Sequence, residues 1–141
     1  MSATYTSSDQ LKNLLSSSDN VLLLDCRSND EYKKRHIVTS NNIVLPQLMM
    51  RRLKAGKLSL KSLLPHSSRH TKDAFLQKCS HFNVVIYDRN TSVFENADSS
   101  SMIALLFKRI KKEGCKVSIL RGLLFICLRD LVFFFNIRLR G

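Results

Sequence analysis

The sequence predicts a single α/β domain, in which a parallel β-sheet is flanked by helices on both faces. The chain has 141 residues, a length typical of one domain, and 44% of them are hydrophobic, which is enough for a core. Residues 21–24 and 84–87 are apolar runs without alternation, which is typical of strands buried on both faces of a parallel sheet. Segments with helical spacing alternate with these runs. Functional residues of this fold class follow the C-terminal ends of strands, so the loops after residues 24, 87 and 120 are the expected location of a site.

Two capping boxes mark the first helices. Ser7 and Gln10 have the required spacing and precede leucines at helical intervals, which predicts a short first helix. Ser28 and Glu31 repeat the pattern after the first long strand and predict a second helix over residues 29–35.

The middle of the chain predicts a short strand and a helix. Residues 42–45 are a strand candidate that Pro46 stops. Residues 47–54 are predicted to be helical, with Gly56 as the terminating residue. Residues 58–64 fit either a strand or a helix.

The second half repeats the alternation. A helix is expected over residues 71–79, and residues 89–98 are a polar loop. A longer helix is expected to start at Ser99 and to end at Gly114, and residues 116–120 are the last predicted strand.

The formal net charge of +12 is concentrated in two segments. Residues 32–72 contain ten basic residues and no acidic one, and residues 105–121 are also basic. Such a distribution predicts a basic surface with an acidic partner: nucleic acid, an acidic protein groove or an anionic membrane. Three tyrosines and no tryptophan argue against an aromatic platform for stacking bases.

The cysteine pattern indicates neither a disulfide framework nor a metal site. The polar N-terminus is not typical of a secretory signal, so reduced thiols are expected. Cys79 and His81 lack a second pair at zinc spacing, so neither a metal nor another cofactor is predicted. The four cysteines are Cys26, Cys79, Cys115 and Cys127.

Three segments carry a resemblance to a known family. Residues 22–37, L-L-L-D-C-R-S-N-D-E-Y-K-K-R-H-I, resemble the opening of the N-terminal rhodanese-like domain of MAP kinase phosphatases. Residues 49–65 resemble that family's kinase-docking segment, and residues 84–88 with 114–122 resemble the closing half of the domain. The resemblance implies a rhodanese-like sheet over residues 8–122 after a flexible N-terminus at 1–7. It also implies a domain that holds a MAP kinase for a separate C-terminal phosphatase domain.

The same resemblance assigns structural roles after the first strand. Asp25, Arg27, Glu31 and His36 look like structural residues of the family. We expect Arg27 to pair with Glu31 and so to fix the loop. A lone histidine in such a position is more often a hydrogen-bonded structural residue than a catalyst.

Catalysis by a thiol is not expected. The position matching the sulfur-carrying cysteine of a rhodanese is Asp88, whose charge would repel an anionic substrate. Cys115 and Arg121 have the spacing of a phosphatase loop, but the residues between them fit a buried strand, whose ends would lie about 20 Å apart. Cys26 is expected to be a small core residue.

The strongest functional signal is a basic cluster followed by two leucines spaced by one residue. Arginine forks pair with carboxylates, and leucines at i and i+2 of an extended chain point the same way into adjacent pockets. The other interpretation is a solvated cationic helix face with both leucines in the core. The predicted docking residues are Arg51, Arg52, Lys54, Lys57, Leu58 and Leu60.

The prediction is therefore a non-catalytic MAP kinase docking domain, monomeric and without affinity for nucleic acid or membrane. The arginine pair with Leu53 favours an ERK-like kinase, and we expect the chain in the cytoplasm, with the nucleus as a second location. Two alternatives stay open, a fragment of an active dual-specificity phosphatase and a basic nucleic-acid-binding domain. Residues 123–141 are expected to be a hydrophobic tail that replaces the linker and catalytic domain through truncation, splicing or a wrong gene end.

Overall fold

One parallel β-sheet organises the part of the chain that the structure describes. The computed structural model describes residues 4–17, 20–37, 39–63, 81–88 and 101–121. Within these ranges the sheet has five strands in the order β1-β5-β4-β2-β3, and every neighbouring pair is parallel. The strands are β1 (Tyr5–Thr6), β2 (Val21–Asp25), β3 (Asn41–Asn42), β4 (Asn83–Tyr87) and β5 (Lys116–Leu120).

Helices lie on both faces of this sheet. Side chains alternate along a strand, so Leu22 and Leu24 of β2 enter one core cluster and Leu23 enters the other. The first cluster is covered by α3, α4 and α5, and the second by α1. The helices are α1 (Ser8–Ser17), α2 (Asn29–Lys34), α3 (Gln47–Lys54), α4 (Leu60–Leu63) and α5 (Met102–Lys112).

The capping box predicted at α1 is confirmed, and Ser28 is the N-cap of α2 as predicted. At the start of α1, the Ser7 amide donates to the Gln10 side chain (2.8 Å) and the Gln10 amide donates to the Ser7 hydroxyl (3.1 Å). At α2, the Glu31 amide donates to the Ser28 hydroxyl, which also contacts the Glu31 carboxylate. These local bonds satisfy amides that the helices themselves leave unpaired.

The remaining predicted elements that fall within the described residues agree with the structure with four differences. The helix expected to start at Ser99 begins at Met102, after the N-cap Ser101, whose hydroxyl accepts from the Ala104 amide. The strand expected at residues 42–45 is shorter and lies at Asn41–Asn42. The ambiguous residues 58–64 contribute the short helix α4. Tyr5–Thr6, within the segment expected to be a flexible N-terminus, pairs with β5 as an edge strand.

Three predicted features lie outside the described residues, namely the helix at 71–79, the polar loop at 89–98 and the hydrophobic tail at 123–141. Within the described ranges, no helix combines the length and the apolar composition needed to cross a bilayer.

Candidate functional site

The loop after β2 is held by a buried ion pair. Asp25 is 0% exposed and Arg27 only 8%. The Arg27 Nη2 lies 2.7 Å from Oδ2 of Asp25, and its Nε and its backbone amide both donate to Oδ1, at 3.1 and 2.8 Å. The Nη2 group also donates to the Arg35 carbonyl at 2.6 Å. Arg27 therefore ties the end of β2 to the end of α2.

The expected partner of Arg27 was Glu31, and this expectation needs correction. The carboxylate that grips the Arg27 guanidinium is Asp25, because an Asx-type turn brings residues two apart together. Glu31 instead completes the N-terminal cap of α2. Asp25, Arg27 and Glu31 thus all make contacts that hold the segment between β2 and α2.

His36 and Tyr32 form a second structural unit beside the ion pair. Their rings are stacked with centroids 3.8 Å apart, and the His36 Nδ1 lies 2.7 Å from the Tyr32 carbonyl, to which a protonated Nδ1 donates. The Tyr32 hydroxyl donates to the Ser40 carbonyl at 2.6 Å. The Nδ1 atom and the ring face of His36 thus both contact Tyr32 of the preceding helix α2.

Tyr87, the last residue of β4, lies beside the ion pair at the C-terminal end of the strands. Its hydroxyl donates to the Ser40 hydroxyl (3.0 Å) and accepts from the Ile37 amide (3.3 Å), and the Arg27 guanidinium lies 5.7 Å from its ring centroid. Burial, assisted by the negative charge of Asp25, raises the pKa of Tyr87 above its ordinary value. A neutral, hydrogen-bonded phenol at this place fixes loops and does not transfer protons near neutral pH.

Cys26 directly follows β2, at the C-terminal end of the strands where sites of this fold class lie, but its surroundings favour the neutral thiol. The pKa of Cys26 is raised, first by burial and then by the negative charges of Asp88 and Asp25. A reactive cysteine needs a lowered pKa, obtained from cations or helix N-termini. Asp88 directly follows β4, so two carboxylates, those of Asp25 and Asp88, act on Cys26 at this end of the sheet.

Cys115 and Arg121 do not form a phosphate-binding loop. Cys115 is buried immediately before β5 and Arg121 follows directly after it, so the whole strand separates them. At ~3.3 Å per residue the two ends are about 20 Å apart. The sequence also has Cys79 close to His81, and Cys79 lies outside the described residues.

Helix α3, which covers the first core cluster, is cationic. Arg51, Arg52 and Lys54 of α3 are exposed, and Lys57 is exposed just after the helix. Leu53 anchors α3 in the core, so the basic side chains lie on the solvent side. The predicted docking residues with basic side chains are therefore accessible.

Leu58 differs from the expectation. It is 4% exposed and belongs to the first core cluster, so it does not face a partner in this conformation. A Schellman motif explains the difference: the Lys57 amide donates to the Arg52 carbonyl (2.9 Å) and the Gly56 amide to the Leu53 carbonyl (3.1 Å). The chain then turns inward at Leu58.

Leu58 and Leu60 also do not lie on one extended segment, because a helix begins at Leu60. Leu60 is the first residue of α4, and its side chain is not among those described. The interpretation that placed Leu58 in the core is the one that the structure supports, while the basic face stays open to solvent.

Two exposed apolar residues were missed by the sequence analysis. Val44 is 56% exposed before α3, and Leu48 is 59% exposed within it. Leu48 precedes Arg51 by three residues and Arg52 by four, so helical geometry places all three on one face. The helical periodicity of residues 47–54 would have revealed this, because Leu53 anchors the other face.

Comparison with known proteins agrees with this fold. A profile described as the rhodanese-like domain matches residues 7–122. Rat dual specificity protein phosphatase 6 is 36% identical over 105 residues, which cover 74% of this chain and 27% of that protein. Human dual specificity protein phosphatase 7 is 34% identical over 104 residues, which cover 72% and 24%. The chain thus spans about a quarter of the length of these relatives.

A solved structure supports the fold alone. The BH2092 protein of Bacillus halodurans superposes with a TM-score of 0.52 at 15% identity, covering 91% of this chain and 73% of that one.

Proposed function

This chain belongs to the rhodanese-like domain family, and we propose that it is a docking domain that binds a MAP kinase through the exposed face of α3. Over this domain it is homologous to dual specificity phosphatases, whose N-terminal domain the sequence resembles. The observation that carries the proposal is one helix face on which Arg51, Arg52 and an exposed Leu48 lie together.

The chemistry of this face fits an acidic protein groove with an apolar spot. Arginine pairs with carboxylates through two parallel hydrogen bonds, which gives geometric specificity as well as charge. Exposed charges mainly accelerate encounter and select the partner, whereas a buried leucine slows release. Lys54 and Lys57 add to the attractive field.

Leu48 replaces Leu58 as the leucine that would contact the partner. Leu58 supports docking indirectly, because its burial holds the loop after α3 against the domain. Leu48 offers the apolar contact, since a leucine that is mostly exposed gains from being covered by a partner. A role for Leu60 stays a prediction.

Calorimetry of the full chain with a MAP kinase tests the proposal. We expect micromolar affinity, and we expect Arg51→Ala/Arg52→Ala to weaken it at least about tenfold, since charged interface contacts contribute about 1 kcal/mol or more each. Leu48→Ala should weaken binding by about 1 kcal/mol through a faster dissociation rate. Lys33→Ala/Lys34→Ala in the exposed last turn of α2 is the matched control and should bind normally.

Binding that is indifferent to the α3 variants, with all variants folded by circular dichroism, would exclude this face as the docking site. Repeating the titration with an ERK-like kinase and a stress-activated kinase tests the partner preference. The ERK-like kinase is our proposed partner, bound by a monomer in the cytoplasm or the nucleus.

The basic charge also favours a second candidate, a nucleic-acid binder. That function predicts an affinity that falls steeply with salt and does not change in Leu48→Ala. A fluorescence titration with single-stranded and double-stranded oligonucleotides separates the two functions. The phosphatase alternative has less support, because the relatives' names describe proteins about four times longer and Cys115 and Arg121 lie at opposite ends of β5.

A further inference from the structure

Two basic segments that are far apart in the sequence lie on the same face of the sheet. The core beneath α3, α4 and α5 is one cluster, which includes Leu53, Leu58, Leu106 and Ile110. The basic residues exposed on this side are Arg51, Arg52, Lys54, Lys57 and Lys61 in the first segment and Lys108, Lys111 and Lys112 in α5.

The two segments are fixed to each other. Helix α3 packs against α5. The Nε of Arg109 in α5 donates to the carbonyl of Leu58 at 3.1 Å, and its Nη1 contacts the Glu113 carboxylate. This bond ties the loop after α3 to α5, so the charges of both helices keep a constant spacing.

The charge on this face is almost entirely of one sign. Among residues 47–63 and 101–113 the only acidic residue is Glu113, and it is engaged by Arg109. Acidic residues are instead found on α1, which has Asp9, and on α2, which has Asp30 and Glu31. The fold therefore concentrates the net charge of the described chain on the α3–α5 side.

The lysines of α5 are not equivalent. Lys108 and Lys112 are exposed and four residues apart, so they project from one side of the helix, while Leu106 and Ile110 face the core. The Lys111 ammonium lies 5.6 Å from the Phe107 ring centroid, a cation–π contact within its own helix. Lys108 and Lys112 are thus the α5 charges presented to a partner.

We propose that Lys108 and Lys112 form the second half of the docking surface, so that the partner contacts α3 and α5 at once. The inference rests on the proposed function, and it specifies the partner's chemistry. Neighbouring helices lie about 8–10 Å apart, so the partner must present carboxylates over two helix widths on a folded surface. A short acidic peptide in a single groove would leave the α5 charges unmatched.

The test measures association kinetics of the full chain with an immobilised MAP kinase at low and high salt. Lys108→Glu/Lys112→Glu should lower the affinity about tenfold, mainly in the association rate, because an exposed ion pair is worth up to about a factor of five. The effect should shrink at high salt. Lys33→Glu/Lys34→Glu on α2 makes the same change in net charge and should alter affinity less than about twofold.

The outcomes separate this inference from the proposed function. If Arg51→Ala/Arg52→Ala loses binding while Lys108→Glu/Lys112→Glu keeps it, docking stands and the two-helix surface is wrong. An equal loss in the α2 and α5 variants would show that net charge matters and its position does not, which also overturns it. If the Arg51/Arg52 variant binds normally, the proposed function fails and this inference with it.

A folding control accompanies the charge reversals. Lys108→Gln/Lys112→Gln removes the charges without adding carboxylates, and circular dichroism verifies the helix content. This milder variant should still lower the affinity about threefold, and unchanged affinity in a folded protein counts against the proposal.

Discussion

The buried Asp25–Arg27 pair predicts a large stability loss for Arg27→Ala. The substitution removes three guanidinium hydrogen bonds to the Asp25 carboxylate and one to the Arg35 carbonyl. It leaves a carboxylate that is 0% exposed without its cation. Removing one partner of a buried ion pair typically costs about 3–5 kcal/mol, because the remaining charge stays desolvated.

That loss is large against the whole stability of a domain, about 5–15 kcal/mol. At about 2 kcal/mol per molar urea, 4 kcal/mol lowers the urea midpoint by about 2 M. The melting temperature should fall by on the order of 15 °C. Arg27→Lys keeps a cation but loses the planar fork, so we expect roughly half the loss.

Urea unfolding followed by circular dichroism measures these changes. The matched control is Asp9→Ala, which breaks a 3.9 Å pair with Lys12 by removing a carboxylate that is 89% exposed and should cost less than about 0.5 kcal/mol. A double variant, Asp25→Ala/Arg27→Ala, should recover part of the loss because no unpaired charge remains. A loss below about 1 kcal/mol in Arg27→Ala would refute the argument, since the pair would then behave like one on the surface.

Three further predictions follow from burial, backbone geometry and titration. Burial raises the pKa of the Cys26 thiol, so as the pH rises the unfolded chain loses this proton before the folded chain does. Above pH 9.0, the ordinary pKa of a thiol, the free energy of unfolding should therefore fall by about 1.4 kcal/mol per pH unit. Cys26→Ala should make that slope shallower between about pH 9 and pH 10, above which Tyr87 also contributes, as urea unfolding across a pH series will show. Leu58→Ala should cost about 3 kcal/mol and Leu48→Ala less than about 0.5 kcal/mol in the same assay, whereas equal costs would contradict their assigned burial. Gly56→Ala should lower stability by about 1 kcal/mol in thermal melts through its φ of +72° alone, because an added Cβ meets no atom within 4 Å.

Local signals in the sequence predicted much of the fold. The N-caps Ser7 and Ser28 were predictable because a cap and its partner lie within one helical turn, so tertiary contacts hardly affect them. The long strands were predictable because burial on both faces leaves uninterrupted apolar runs. Gly56 marked the end of α3, since a positive φ is cheapest in glycine.

Non-local contacts explain what the sequence could not show. The two-residue strand β1 carries no period of its own and exists through pairing of Tyr5 with Ile119. Arg27 has three acidic residues within four positions, Asp25, Asp30 and Glu31, and only the turn after β2 selects Asp25. For Leu58, a core position and a partner-facing one give the same sequence pattern, and the turn at Gly56 decides between them.

The pairing of β1 with β5 also constrains how the domain is made. The Thr6 and Ser118 hydroxyls lie 2.6 Å apart, although 112 residues separate them in the chain. Because a ribosome adds about 5–20 residues per second, β1 is synthesised seconds before β5, its only neighbour among the described strands. Closure of such a long loop has a high entropic cost, which places completion of the sheet edge among the late events of folding. During that interval β1 has no partner strand, and its length of two residues limits pairing with another chain.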